Sequence, residues 1–192
     1  MRDEFAEFLH VLESFGVAHC VVDIGVDGME LLLAESFDSR KRKFKGWKVM
    51  TDKNLYLYSL KPRLIYQSGQ MSIYCNYKLA CRSTLNGAWV PLDKCINDGV
   101  LERASYDQEK GYSVLSPEDE ICYLLASCIY TMKQFAPKHR EQISRCLENG
   151  NKEEIVRKLS KVFFFFTDRL LQLVKSGEYD EVIPALYAFA EY

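Results

Sequence analysis

The chain has 192 residues, 48% of them hydrophobic, with a formal net charge of -2. That length suits one domain with a helical appendage, and the apolar share excludes a disordered chain. The near-neutral charge gives no global attraction to nucleic acid or an acidic membrane surface. The N-terminus, Met1-Arg2-Asp3-Glu4-Phe5, lacks the apolar core of a signal peptide. No apolar run approaches the roughly 18 residues of a membrane span, so a cytoplasmic protein with no membrane partner is expected. The seven cysteines are odd in number and none has CxxC spacing, which predicts reduced core residues over zinc ligands or disulfides.

In chain order, Phe5, Phe8, Leu9 and Leu12 recur at helical spacing and predict an amphipathic helix over 3–15, capped by Gly16. The valine-rich run over 17–24 reads as a central strand, with His19 as a hydrogen-bonded core histidine. Asp27-Gly28 suits a tight hairpin turn into a second strand over 29–34. A hairpin centred there would set Gly25 opposite Glu30 and Asp23 opposite Leu32. A short basic helix is expected over 37–45, then short strands over 47–50 and 55–60. Ser68-Gly69 marks a hairpin tip between strands over 64–67 and 71–79. In the longer one, Met71, Ile73, Cys75, Tyr77 and Leu79 share one face and Ser72, Tyr74, Asn76 and Lys78 the other. Residues 82–115 are expected to be loops, with one helical turn around 92–96.

The second half reads as helical. Ser116-Pro117-Glu118-Asp119 is a helix start, with serine as cap, proline at the first position and an acid three residues after the cap. Ile121, Leu124, Leu125, Cys128, Ile129 and Met132 then keep helical spacing. A second helix is expected over 138–147 and a long one over 152–175, with Phe163 and Phe166 on its apolar face and Phe164 and Phe165 off it. That helix is either covered on more than one side or offers a protein partner an apolar patch at 163–166. His139 lies among charges and is expected on the surface. A last helix carries Tyr179, Val182, Leu186 and Tyr187.

Complete catalytic motifs are absent: there is no P-loop, GxGxxG, GxSxG or HExxH. The densest charge feature is the run holding Arg40, Lys41, Arg42, Lys43, Lys45 and Lys48 around Phe44 and Trp47. Clustered cations beside an aromatic ring suit phosphate or nucleic acid. A solvated helix face with Phe44 and Trp47 turned inward is the favoured reading, because the rest of the chain offsets the charge.

The order of helix, strand, turn, acidic strand, basic helix, alternating strand and helices resembles the nucleotidyltransferase superfamily, in its bacterial branch of uncharacterised nucleotidyltransferase-like proteins. The resemblance covers about 5–135 and rests on Phe8-Leu9-His10-Val11-Leu12-Glu13-Ser14-Phe15-Gly16-Val17, Tyr77-Lys78-Leu79-Ala80-Cys81-Arg82-Ser83, Trp89-Val90-Pro91-Leu92-Asp93 and Leu115-Ser116-Pro117-Glu118-Asp119. It implies a Gly-Ser turn before a strand with an Asp-x-Asp pair, and a third acid on a later strand, together holding two Mg²⁺ ions. Here the turn is too short for the Gly-Ser helix, Gly28 stands in one acid position beside Glu30, and the later strand offers only Ser72, Tyr74 and Asn76.

The expected architecture is α+β: a mixed sheet of four to six strands, an N-terminal helix and a C-terminal helical bundle, with 1–115 and 116–192 forming one compact unit. The expected function is a nucleotidyltransferase-like protein without catalysis and without a cofactor. It would bind a partner, or a ligand such as a nucleotide or sugar, in the former cleft of Asp23, Asp27, Glu30, Ser72, Tyr74, Asn76 and Lys78. The alternatives are an active Mg²⁺-dependent enzyme using Asp23, Asp27 and Glu30, and a protein- or nucleic-acid-binding module.

Overall fold

The computed structural model describes residues 3–25, 28–34, 36–37, 44–50, 63–83 and 87–190. In chain order these form α1 (Asp3–Ser14), β1 (His19–Ile24), β2 (Gly28–Leu33), β3 (Lys48–Met50), β4 (Arg63–Ser68), β5 (Met71–Asn76), β6 (Ala80–Arg82) and β7 (Trp89–Pro91). Next come α2 (Lys94–Asn97), α3 (Val100–Arg103), β8 (Ser105–Asp107), β9 (Tyr112–Val114) and α4 (Pro117–Ala126). A π-helical turn (Ser127–Met132), α5 (Pro137–Asn149), α6 (Lys152–Phe163), a 3₁₀ turn (Phe164–Phe166), α7 (Thr167–Lys175) and α8 (Tyr179–Ala190) complete the chain. The chain divides into two compact units, residues 1–79 with 99–115 and residues 80–98 with 116–192.

The first unit is a mixed sheet with α1 packed on its core face, and it also holds the short α3. Its seven strands run in the order β3-β4-β5-β2-β1-β9-β8, with β2–β5 and β1–β9 parallel and the other neighbours antiparallel. The α+β class holds, and the sheet exceeds the expected four to six strands because β8 and β9 arise in the stretch read as loops. Three-residue strands give too little alternation to stand out from loop sequence. Helix α1 buries Phe5, Phe8, Leu9 and Leu12 against Met29, Leu31, Leu33, Ile73 and Cys75. Gly16, at φ +65°, ends it where an L side chain would be strained. Phe8 stacks on Phe44 at 4.2 Å, and both rings meet Tyr66 edge-on at 5.2 and 4.9 Å. Burying each such ring contributes about 1.5–3 kcal/mol.

The second unit is helical, with the β6–β7 hairpin beside it. Ser116 caps α4: its Oγ accepts from Asp119 N at 3.3 Å and donates to Asp119 Oδ2 at 3.1 Å. The expected helix over 138–147 is α5. The expected continuous helix over 152–175 is instead broken at Phe164, whose φ of 48° ends α6 and forces the 3₁₀ turn before α7. Phe163 and Phe166 are buried, while Phe164 and Phe165 are 69% and 91% exposed. His139 is buried, not on the surface, because α5 turns it inward with Ile143 and Cys146. Cys20, Cys122 and Cys128 are buried and not joined in disulfides, as are Cys75, Cys81 and Cys146.

Candidate functional site

Alternation along the sheet sorts its residues onto two faces. One carries Met29, Leu31, Leu33, Val21, Ile73 and Cys75 into the core beneath α1. The other carries Gly28 and Glu30 of β2 and Ser72, Tyr74 and Asn76 of β5, and the pairing of Asp23 with Glu30 across a bulge puts Asp23 of β1 there too. Parallel pairing of β2 with β5 sets Gly28 beside Ser72, Glu30 beside Tyr74 and Leu32 beside Asn76. Five of the residues expected in the cleft thus share one face. Lys78 lies past the end of β5, which stops at Asn76, and is exposed.

The β1–β2 register differs from expectation. Gly25 N donates to Gly28 O at 2.7 Å, and Gly28 belongs to the strand. A bulge between Val21 and Asp23 then sets Asp23 directly opposite Glu30, not opposite Leu32. The inserted residue shifts the register by one on the turn side and keeps Val21 facing the core. Asp27 lies outside the described residues, as do Arg40, Lys41, Arg42 and Lys43 and the strand expected over 55–60. Lys45 is exposed, and Phe44 and Trp47 are turned into the core.

Two contacts define the chemistry of this face. Asn76, almost wholly buried, donates from Nδ2 to Glu30 Oε1 at 2.7 Å, which fixes its amide orientation because a carboxylate only accepts. The ring of Tyr74 lies over Gly28: a Cβ at residue 28 would stand 3.2 Å from Tyr74 Cε2 and 3.4 Å from Ser72 O. Asp23 Oδ1 accepts from Ile24 N at 2.9 Å. Among the described residues, no three His, Cys, Asp or Glu side chains converge as a metal site would require. Two Mg²⁺ ions need several converging carboxylates, and Gly28, Tyr74 and Asn76 offer none, so these residues do not fit the two-ion centre of the resemblance.

Pattern reading missed two features of the second unit. Lys158, in mid-helix and 1% exposed, donates to Asp119 Oδ1 at 2.6 Å. The acid of the Ser116 cap was the available signal, since a buried carboxylate needs a partner. A cleft also forms beside Arg82, Tyr130 and Lys161.

No protein-family model matches the chain, and no curated protein matches it. Among solved structures, the antibiotic-resistance factor ANT(2'')-Ia, whose solution structure shows substrate-regulated conformation dynamics, is similar over 91% of this chain and 95% of that one. The two share 12% identity at a TM-score of 0.50. The likeness is one of fold alone, and the fold is nucleotidyltransferase-like.

Proposed function

We propose that the chain is a non-catalytic nucleotidyltransferase-like protein of the bacterial uncharacterised branch, binding a nucleotide or sugar through the sheet face of Asp23, Glu30, Ser72, Tyr74 and Asn76. The packing of Tyr74 over Gly28 carries this reading. A phosphoryl-transfer centre of this kind needs acids at both positions, and here an aromatic ring fills the space that the glycine vacates. The hydrogen bond from Asn76 then occupies one oxygen of the remaining acid, Glu30. What is left is a polar surface with an aromatic ring on which a base or sugar can stack. Thermal-shift titration with nucleoside triphosphates and free sugars, with and without Mg²⁺, tests it. A melting temperature raised equally in both conditions, with no pyrophosphate released, is the expected result.

One observation favours an active enzyme as the second reading. Asp23 stands directly opposite Glu30, and Cβ atoms of such pairs lie about 4.5–5.5 Å apart, near enough for two carboxylates to share one cation. Under that reading pyrophosphate release requires Mg²⁺ and is abolished by Glu30→Ala; that result would replace the non-catalytic reading.

A further inference from the structure

A cleft of about 320 Å³ lies within the second unit, walled by the β6–β7 hairpin, the start of α2, the π-helical turn and the end of α6. We propose that it binds a small organic anion with a flat apolar body, its charged end met by Arg82 and Lys161 and its body resting on Tyr130, Leu92 and Val162. None of these residues belongs to the sheet face discussed above, so this site goes beyond that reading.

The charge balance selects the ligand. Among the described residues, two cations line the cleft against one carboxylate, Asp93. That carboxylate is already engaged: its Oδ1 accepts from Cys95 N at 2.8 Å and caps α2. The same hydrogen bond holds its pKa below the usual carboxylate range, with Lys161 adding to the effect. A surplus of positive charge therefore faces the cleft, and a neutral or cationic ligand would leave it uncompensated.

Arg82 and the apolar wall are set in place before any ligand arrives. Arg82 Nη1 donates to Gly87 O at 2.6 Å, and its guanidinium carbon lies 4.8 Å from the centroid of the Trp89 ring. Its backbone N donates to Thr131 Oγ1 at 3.1 Å, tying the hairpin to the π-helical turn. An anchored guanidinium loses little further freedom on binding. The Tyr130 ring stacks on Phe163 at 5.7 Å and 16°, which fixes the wall. Burial pushes its phenol up to about 12, so at neutral pH the hydroxyl keeps its proton and can donate to an anion. Tyr130 rides on a π-helical turn, a departure from α geometry that recurs at functional sites. The volume lies at the small end of ligand pockets, about 300–1,000 Å³, which limits the occupant to one or two rings.

The test uses the full chain and a matched pair of probes. One is 1-anilinonaphthalene-8-sulfonate, a flat organic anion; the other is N-phenyl-1-naphthylamine, the same skeleton without the charge. Fluorescence titration is expected to show saturable binding of the sulfonate, weakened about tenfold or more by Lys161→Glu, with under about twofold change for the neutral amine. Because exposed Phe164 and Phe165 can also hold the probe, Phe165→Ser is the control and should leave the sulfonate affinity unchanged. Amide shifts on adding the sulfonate should cluster at 81–83, 90, 92–93, 130 and 161–162. Equal affinity in Lys161→Glu, an equal loss for both probes, or shifts confined to 164–166 would overturn the proposal.

Discussion

Gly28 and Tyr74 bind each other's identity. A hydrogen at residue 28 is what lets the Tyr74 ring lie where it does. Gly28→Asp would press its Cβ on that ring and on the Ser72 carbonyl, and would set a third carboxylate beside Glu30 and Asp23. Overpacking costs about 1–3 kcal/mol, and like charges on one face add to that. Gly28→Asp is expected to lower the melting temperature by more than Gly28→Ala does. Mg²⁺ should restore part of the loss in Gly28→Asp and none in Gly28→Ala. Unfolding curves with and without the ion check this; equal losses would mean that neither charge nor a nearby acid matters there. The residue types of this face were legible in the sequence because period-two alternation needs only the strand. The pairing of Asp23 with Glu30 was not legible. A bulge inserts one residue without leaving a compositional mark, and it moves every partner on the turn side.

Between elements, the junction of α4 and α6 depends on one buried ion pair. Lys158 and Asp119 are 1% and 0% exposed and meet at 2.6 Å. Asp119 is also held by the Ser116 hydroxyl, and Lys158 lies 3.6 Å from Glu154 Oε1. Removing one partner leaves a charge stranded out of water, at a cost of about 3–5 kcal/mol. Lys158→Met should therefore destabilise strongly. Lys158→Met with Asp119→Asn should recover much of the loss, because the amide keeps a hydrogen bond from Ser116 without the charge. Urea unfolding of both variants measures it, and a double variant no more stable than the single one would show that the pair is not isolated. Helical periodicity foresaw Phe163 and Phe166 on the apolar face, and both are buried. It did not foresee the break at Phe164, since four consecutive phenylalanines fit any helical register and a positive φ at a bulky residue has no sequence signal. That break turns Phe164 and Phe165 outward and leaves Phe163 and Phe166 in the core.

Across the molecule, the chain passes between the two units at 79/80, 98/99 and 115/116, so neither is a continuous segment. The fold class was legible, because the change from alternating to helical periodicity near Ser116 marks the helical half. The separate lodging of 80–98 was not, because short strands and a four-residue helix follow no long pattern. Physically that stretch belongs with the helices. Leu92 and Ile96 are buried, β6 is hydrogen-bonded to Thr131, and the β6–β7 hairpin has no sheet of its own beyond two strands. An isolated two-stranded hairpin is marginal in water, and the helices would lose apolar cover without it. A fragment of residues 116–192 alone is therefore expected to melt broadly and at a lower temperature than the full chain. Residues 80–98 joined to 116–192 by a Gly-Ser linker replacing 99–115 should regain a sharp transition, because a flexible linker of that length adds little closure cost. Circular dichroism melts of the two fragments decide it. If residues 116–192 alone melt as sharply and as high as the linked form, the hairpin and α2 contribute nothing to the helical core.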